Sequence, residues 1–393
     1  MSTVLQKCID ITPNGVIVPW SLQDYRLIRV QPWWPKLRAT TSWLRMWADW
    51  PTLMPDATGF DPAIIGSLDA QIALARRDGL RIVLTLYRFP TWANGTDRLT
   101  AAELAATMPD RKASATAADT SAKSLLFRYP DDVTAGSAWG DFVERIVSRY
   151  SRGNPQRPAL DATIDVLEVA NEPNLQWWPQ QGPSRDPANA FGAGDVVVHD
   201  VVARMFATAR TIVARHGDEP MLAGPGAADS TAATDSRLRT GYDTLSDRLL
   251  PALASAAFSP GPRFAWTHHN YADVAYATSR TADVRRRLIG RWAGWPAGDG
   301  GDPQILVTEG GVTLRTIARR LGIADPVAQR AKQAELLTAA FRRLSGPEGA
   351  GVALVTQYLF HTDPRYDSGL CETAERGGAR RPAFAAWRAL PSA

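Results

Sequence analysis

Cysteine is nearly absent from this chain: Cys8 and Cys371 stand at opposite ends of its 393 residues. Two residues so placed supply neither a disulfide framework nor a metal-ligand spacing, and two unpaired thiols are the expectation. Lysine is scarce, and arginine carries most of the positive charge, scattered rather than in runs. With a net charge of only +4 and no basic stretch, a nucleic-acid partner is not indicated. No apolar stretch approaches the ~20 residues that span a bilayer. The opening residues, Met1 to Cys8, lack the basic, apolar and small-residue succession of a secretory signal. The expectation is a soluble, cytoplasmic protein with no membrane partner, its oligomeric state left open. What remains is 45% hydrophobic and 21% charged, the composition of an ordinary globular protein with ample core.

Strand-like runs alternate with amphipathic, alanine- and arginine-rich segments over almost the whole length. Ser42 to Trp47 precedes Asp61 to Gly79, whose Ile64, Ile65, Leu68 and Ile72 recur at helical spacing. The strand Leu80 to Leu86 follows, and the helical pattern Ala138 to Tyr150 precedes the apolar run Ile164 to Ala170. Val196 to His216, Tyr242 to Phe258, Arg280 to Trp292 and Pro326 to Leu344 read as helices. Met221 to Pro225, Arg263 to His269, Gln304 to Thr308 and Gly351 to Gln357 read as strands. That makes seven strands, each but the last followed by a helix-compatible segment, and such alternation calls for a parallel sheet with helices outside. An eighth strand near Gly15 to Trp20, or at Tyr25 to Val30, completes a single (β/α)8 TIM barrel over 1–393, one domain. A doubly wound open sheet is the alternative, but no glycine-rich phosphate turn announces it. The polar segment Asn94 to Asp132 is longer than an ordinary βα loop. It forms an insertion after strand 3, on the active-site face.

The chemistry concentrates at two strand ends. The run Val166 to Ala170 is cut off by Asn171, Glu172 and Pro173, and proline cannot donate a ladder hydrogen bond. A buried strand is thus expected to end on a carboxylate. A second run, Gln304 to Thr308, ends in Glu309, Gly310 and Gly311. Two apolar strands that each deliver a glutamate match a two-carboxylate glycosidase, which needs a proton donor and a nucleophile or base. A single glutamate is more often a solvated or ion-paired side chain; the pairing with strand ends outweighs that reading here.

Asn171, Glu172 and Pro173 after an apolar strand, with Glu309 ending a later one, resemble the clan A (4/7) superfamily of retaining glycoside hydrolases. Trp43 to Trp50 is similar to that clan's second strand, where an arginine, here Arg45, supports the nucleophile. His269, Asn270 and Tyr271 are similar to its sixth-strand His-x-Tyr, and Phe142 to Tyr150 to the helix before the acid/base strand. Within the clan, Asn171 to Trp178 resembles xylosidase-like and cellulase-like members. The resemblance implies that Glu172 is general acid and then general base, and that Glu309 is the nucleophile. It further implies that Arg45 and Tyr271 keep Glu309 charged, that Asn171 bonds the sugar 2-hydroxyl, and that His269 walls the same subsite. A buried structural ion pair is the plain alternative for Arg45, and a satisfied core histidine for His269. Neighbouring His268 points to the opposite side, so either of the two could face inward. Many clan members end strand 8 on a tryptophan; Val355 to His361 has none, and Gln357, Tyr358 or Phe360 is left to take its place.

Fourteen tryptophans are a second signal, because flat sugar faces pack on aromatic rings whose N–H can still bond a hydroxyl. Trp47, Trp50, Trp92, Trp177 and Trp178 are all expected near the barrel mouth, and Trp47, Trp92, Trp177 and Trp178 are the candidate sugar contacts. The expectation is a retaining β-glycoside hydrolase acting on a carbohydrate substrate, exo-acting because the insertion walls the site. No metal and no organic cofactor are expected. The rivals are an endo-acting β-glycanase of cellulase or mannanase type, and a carbohydrate-binding barrel without catalysis.

Overall fold

Every run read as a strand after position 40 is a strand, and together they close a barrel. The computed structural model describes residues 5–11, 33–98, 100, 126, 129–130, 132–175, 196–229, 241–258, 263–291, 304–362, 366–373 and 378–391. The eight strands are β1 (Gln6–Asp10), β2 (Trp43–Asp49), β3 (Arg81–Tyr87), β4 (Val166–Glu168), β5 (Met221–Ala227), β6 (Phe264–His269), β7 (Ile305–Glu309) and β8 (Val352–Gln357). They pair in parallel and in chain order, and β1 closes the ring against β8. This is a (β/α)8 barrel.

The first strand corrects the sequence expectation. It is Gln6–Asp10, not Gly15 to Trp20 or Tyr25 to Val30, and those two runs lie outside the described residues. Its charged residues disguised it, and each has a buried task. The Lys7 ammonium donates to the carbonyls of Trp387 (3.1 Å) and Leu390 (2.8 Å), closing the end of helix Pro382–Ala389. Asp10 points into the barrel. That last helix also means that β8, like the others, has a helix after it.

The helices Pro62–Arg77, Ala138–Tyr150, Val196–Arg215, Tyr242–Ser255, Arg280–Arg291 and Pro326–Leu344 follow the expected boundaries closely. Asp61 and Asp325 each accept two first-turn N–H groups, with proline in the first turn, which sets two of the starts. Apolar faces such as Trp139, Phe142, Ile146 and Val147 pack inward. Among the described residues no helix is long and apolar enough to cross a membrane.

Side-chain alternation along the strands sorts the barrel interior into levels. Cys8, Trp43, Val83, Val166, Ala265, Leu306 and Leu354 form one apolar cluster. Two residues further along the same strands stand Asp10, Arg45, Thr85, Glu168, Thr267, Thr308 and Thr356, all buried. The interior thus changes from hydrocarbon to charge within one pleat, toward the carboxyl ends of the strands.

The insertion after β3 is described only at its ends. Phe89 N–H donates to the Leu126 carbonyl at 2.8 Å, and the Tyr129 ring lies 4.7 Å from that of Phe89. Its C-terminal end is therefore fastened beside the mouth end of β3.

Candidate active site

Arg45 is the hub. Fully buried on β2, it donates from Nε and Nη2 to Glu168 Oε2 (3.0 and 2.8 Å). Its Nη1 donates to Asp10 Oδ2 (3.0 Å) and to Glu309 Oε1 (2.5 Å), and Nη2 also reaches Asn171 Oδ1 (2.7 Å). Burial works against the guanidinium charge, but Glu168, Glu309 and Asp10 outweigh it and hold the Arg45 pKa well above its ordinary value. Glu168 is sealed in turn by the hydroxyls of Thr85 and Thr308, each at 2.6 Å. Burial alone would raise its pKa; Arg45, His269 and the two threonines overcome that and hold it below the usual carboxylate value.

Glu309 ends β7 and faces the same hub because that strand is irregular. His268 pairs with Val307 but His269 pairs with Glu309, so one residue of β7 is skipped. Consecutive strand residues normally point to opposite sides; the shift lets both Thr308 and Glu309 turn inward. Glu309 Oε2 accepts the Tyr271 hydroxyl at 2.7 Å. Burial first, and then the charge on Glu309, push the Tyr271 phenol well above its ordinary pKa, so it stays a donor.

Glu172 stands on a different kind of backbone. β4 is only three residues long, and Glu172 takes a left-handed φ of +47° with its N–H on the Gly226 carbonyl (2.9 Å). Such a conformation is uncommon outside glycine and marks a residue placed by its surroundings. Asn174 fastens the turn by exchanging two hydrogen bonds with the Ala228 backbone. Glu172 Oε1 lies 2.9 Å from His269 Nδ1, which is 3.7 Å from Glu309 Oε2. Burial disfavours the imidazolium, but Glu309 and Glu172 outweigh it and raise the His269 pKa. One oxygen of each glutamate and this nitrogen all lie within 4.8 Å of one another, close enough to offer a metal ion three ligands.

The structure thus brings Arg45, Asn171, Glu172, His269, Tyr271 and Glu309 together. Of the two histidines, His269 faces the site. His268 packs against the Tyr242 ring, and burial pushes its pKa down to about 3. Trp47 joins the hub: its Nε1 donates to Asp10 (3.2 Å) and its ring lies 4.2 Å beneath the Arg45 guanidinium. Trp92 instead donates to the Met54 carbonyl and packs on Trp50. Trp50, directly past the carboxyl end of β2, is fully buried and stacked on Phe142. Trp177 and Trp178 lie outside the described residues. Of the three candidates at the end of β8, Phe360 is buried against Trp33, and the Gln357 amide donates to the Tyr358 and Ser368 carbonyls. Tyr358 is the one beside Tyr271, the tyrosine bonded to Glu309, in mutual edge contact with Tyr271 and Tyr366.

Asp10, Glu168, Tyr87, Tyr366 and Asp229 went unread in the sequence. A glutamate inside the apolar run Val166 to Val169 was a usable signal for Glu168, since buried carboxylates demand partners. Tyr87 closes on Trp47 at 4.6 Å, and Asp229 lies just beyond β5, where burial pushes its pKa up to about 7.

No family model matches the sequence, and no curated protein matches it. Solved structures do resemble it over nearly all its length. A family 39 glycoside hydrolase from the gut symbiont Bacteroides cellulosilyticus WH2 has a TM-score of 0.54 at 13% identity, over 98% of this chain. This chain spans only 63% of that enzyme's length. GH5_18 from Streptomyces cattleya, in complex with Manβ1-4GlcNAc, has 0.53 at 16% identity, over 98% of this chain and 79% of that one. The endo-β-1,4-glucanase of Xanthomonas axonopodis pv. citri has 0.52 at 13% identity, over 98% of each. At such identities the likeness establishes the fold alone, the (β/α)8 barrel that these glycoside hydrolases share.

Proposed function

We propose that this chain is a retaining β-glycoside hydrolase working by double displacement between Glu172 and Glu309. The observation that carries the reading is the convergence of both carboxylates on His269 Nδ1, within 4.8 Å. An inverting pair stands roughly 6.5–9.5 Å apart to admit a water, whereas a retaining pair stands at about 5–5.5 Å. Glu309, between Arg45 and the Tyr271 hydroxyl, attacks the anomeric carbon while Glu172 protonates the departing oxygen. Glu172, now a carboxylate, takes a proton from water as that water attacks the glycosyl ester, releasing the sugar and regenerating Glu309. Asn171, held in place by Arg45 through its side-chain carbonyl, is assigned to the sugar 2-hydroxyl. Tyr358 and Tyr366 offer the aromatic surface that a strand-8 tryptophan supplies elsewhere, and Tyr87 and Trp47 offer one on the side of β2 and β3. The substrate is a carbohydrate.

We assign exo action on the position of the insertion after β3: it is anchored by Leu126 and Tyr129 beside the mouth, and a walled site accepts a chain end. Assay of a panel of nitrophenyl β-glycosides, with proton NMR of the first-formed sugar, tests the mechanism. A β-anomer is expected, and an α-anomer overturns it. Short products alone from longer oligosaccharides fit exo action; early internal cleavage overturns it in favour of an endo-glycanase. Oligosaccharide binding with no turnover on any substrate would indicate a binding barrel.

A further inference from the structure

Tyr271, which holds the nucleophile, opens a helix of only six residues, Tyr271–Tyr276. So short a helix has little stability of its own, and its first N–H groups need acceptors from elsewhere. The residue before it, Asn270, provides none: its side chain makes no cap hydrogen bond. The acceptor comes from another strand. Asp229, buried two residues past the end of β5, accepts the Ala272 N–H on Oδ2. A carboxylate there also meets the positive end of the helix. The Asp229 carbonyl accepts from Arg280 Nη1, and its neighbour Ala228 is bound twice to Asn174, two residues past Glu172. Gly226, on the same strand end, accepts the Glu172 N–H. The end of β5 therefore touches the acid/base turn on one side and the tyrosine helix on the other.

We propose that Asp229 is a positioning residue for the nucleophile, acting by fixing the first turn of helix Tyr271–Tyr276 and thereby the Tyr271 hydroxyl on Glu309. It rests on the assignment of Glu309 as nucleophile. The same carboxylate spans from β5 to the end of β6, and the hydrogen bond it secures ends on β7. No residue of the helix itself could do this, because Asp273 is spent on the following helix, accepting from the Arg280 and Thr281 N–H groups.

A double-mutant cycle between Asp229→Ala and Tyr271→Phe tests this on the intact enzyme. Asp229→Ala is expected to lower kcat by about 10- to 100-fold with little change in KM, as misplacement of a reacting group does. The acid limb of kcat/KM should move to higher pH, as in Tyr271→Phe, because Glu309 loses a hydrogen bond to its charged form. The double variant should be no slower than Tyr271→Phe alone. Asp229→Asn, whose amide oxygen can still accept from Ala272, should restore most of kcat. Effects of the two single variants that multiply, or an Asp229→Ala enzyme with unchanged kcat and acid limb, would overturn the proposal. If the wild-type chain turns over no glycoside, the hydrolase reading falls, and positioning is read instead from the Glu309 carboxyl by carbon-13 NMR titration. Its pKa should rise in Asp229→Ala and in Tyr271→Phe but not in Asp229→Asn; no rise in Asp229→Ala would sink the idea.

Discussion

Glu309 and Glu172 reach the same few ångströms from opposite kinds of scaffold. Glu309 is the last residue of strand β7, its side chain is 8% exposed, and it accepts from Arg45 and Tyr271. Beneath it lies a sealed polar layer in which Arg45 meets Asp10 and Glu168 as well. Glu172 sits on a left-handed residue of an irregular turn, with 26% of its side chain exposed and His269 as its ring partner. A group that must stay ionised gains from fixed donors around it. A group that must both give and take a proton gains from access to water and from fewer fixed charges. In the proposed mechanism the two glutamates do different work because of what surrounds each oxygen, not because of the residue type.

The sharpest break of that contrast is removal of each carboxylate in turn. Glu309→Ala should abolish turnover on every substrate, activated or not, because no glycosyl ester can form. Glu172→Ala should retain the first step on aryl glycosides with good leaving groups and stall in the second. Azide should then restore turnover and yield a β-glycosyl azide, detected by mass spectrometry. Equal loss in both variants, with no azide product, would remove the distinction between the two glutamates.

A smaller effect is expected in the layer below. Glu168→Ala takes away the acceptor of Arg45 Nε and leaves the Thr85 and Thr308 hydroxyls without it. Breaking a buried pair in this way costs about 3–5 kcal/mol, measurable by denaturant unfolding. Because Arg45 also carries Glu309 and Asn171, kcat should fall about 10-fold or more in the folded variant. Unchanged kinetics would mean that Asp10 alone can hold Arg45.

The smallest effect belongs to Asp229 and is one of stability. His269, Asp273 and Arg280 face this carboxyl, and burial is the main reason that its pKa rises to about 7. A carboxyl whose folded pKa is raised favours the folded state while both states are protonated. That stability is present below the unfolded value near 4 and is lost as pH rises to about 7. Asp229→Asn removes the titration, so its unfolding free energy relative to wild type should increase between pH 4 and pH 7, by about 2–4 kcal/mol. A difference that stays flat across that range would mean that Asp229 does not titrate there.

Strand and helix positions were legible because burial imposes period 2 on one and period 3.6 on the other, and Glu172 and Glu309 were legible because proline and glycine mark where strands stop. The first strand was not: Lys7 and Asp10 break its apolar pattern, and each is satisfied only by partners hundreds of positions away or on another strand. Glu168 was hidden in the same way, looking like an oddity in an apolar run until Arg45, Thr85 and Thr308 close around it. Asp229 carried no local signal at all, since its partner Ala272 is a backbone group on another element.

By itself the sequence determined the alternation of elements, the parallel barrel that such alternation demands, and two carboxylates at strand ends. Which side chains share a level inside the barrel was decided only by tertiary structure, through register between strands far apart in sequence. The skipped residue of β7 is the clearest case: it turns Thr308 and Glu309 to the same side, against the alternation that their sequence alone implies. A charge buried in such a place is defined by its partners, and partners are a property of the closed barrel rather than of any one strand.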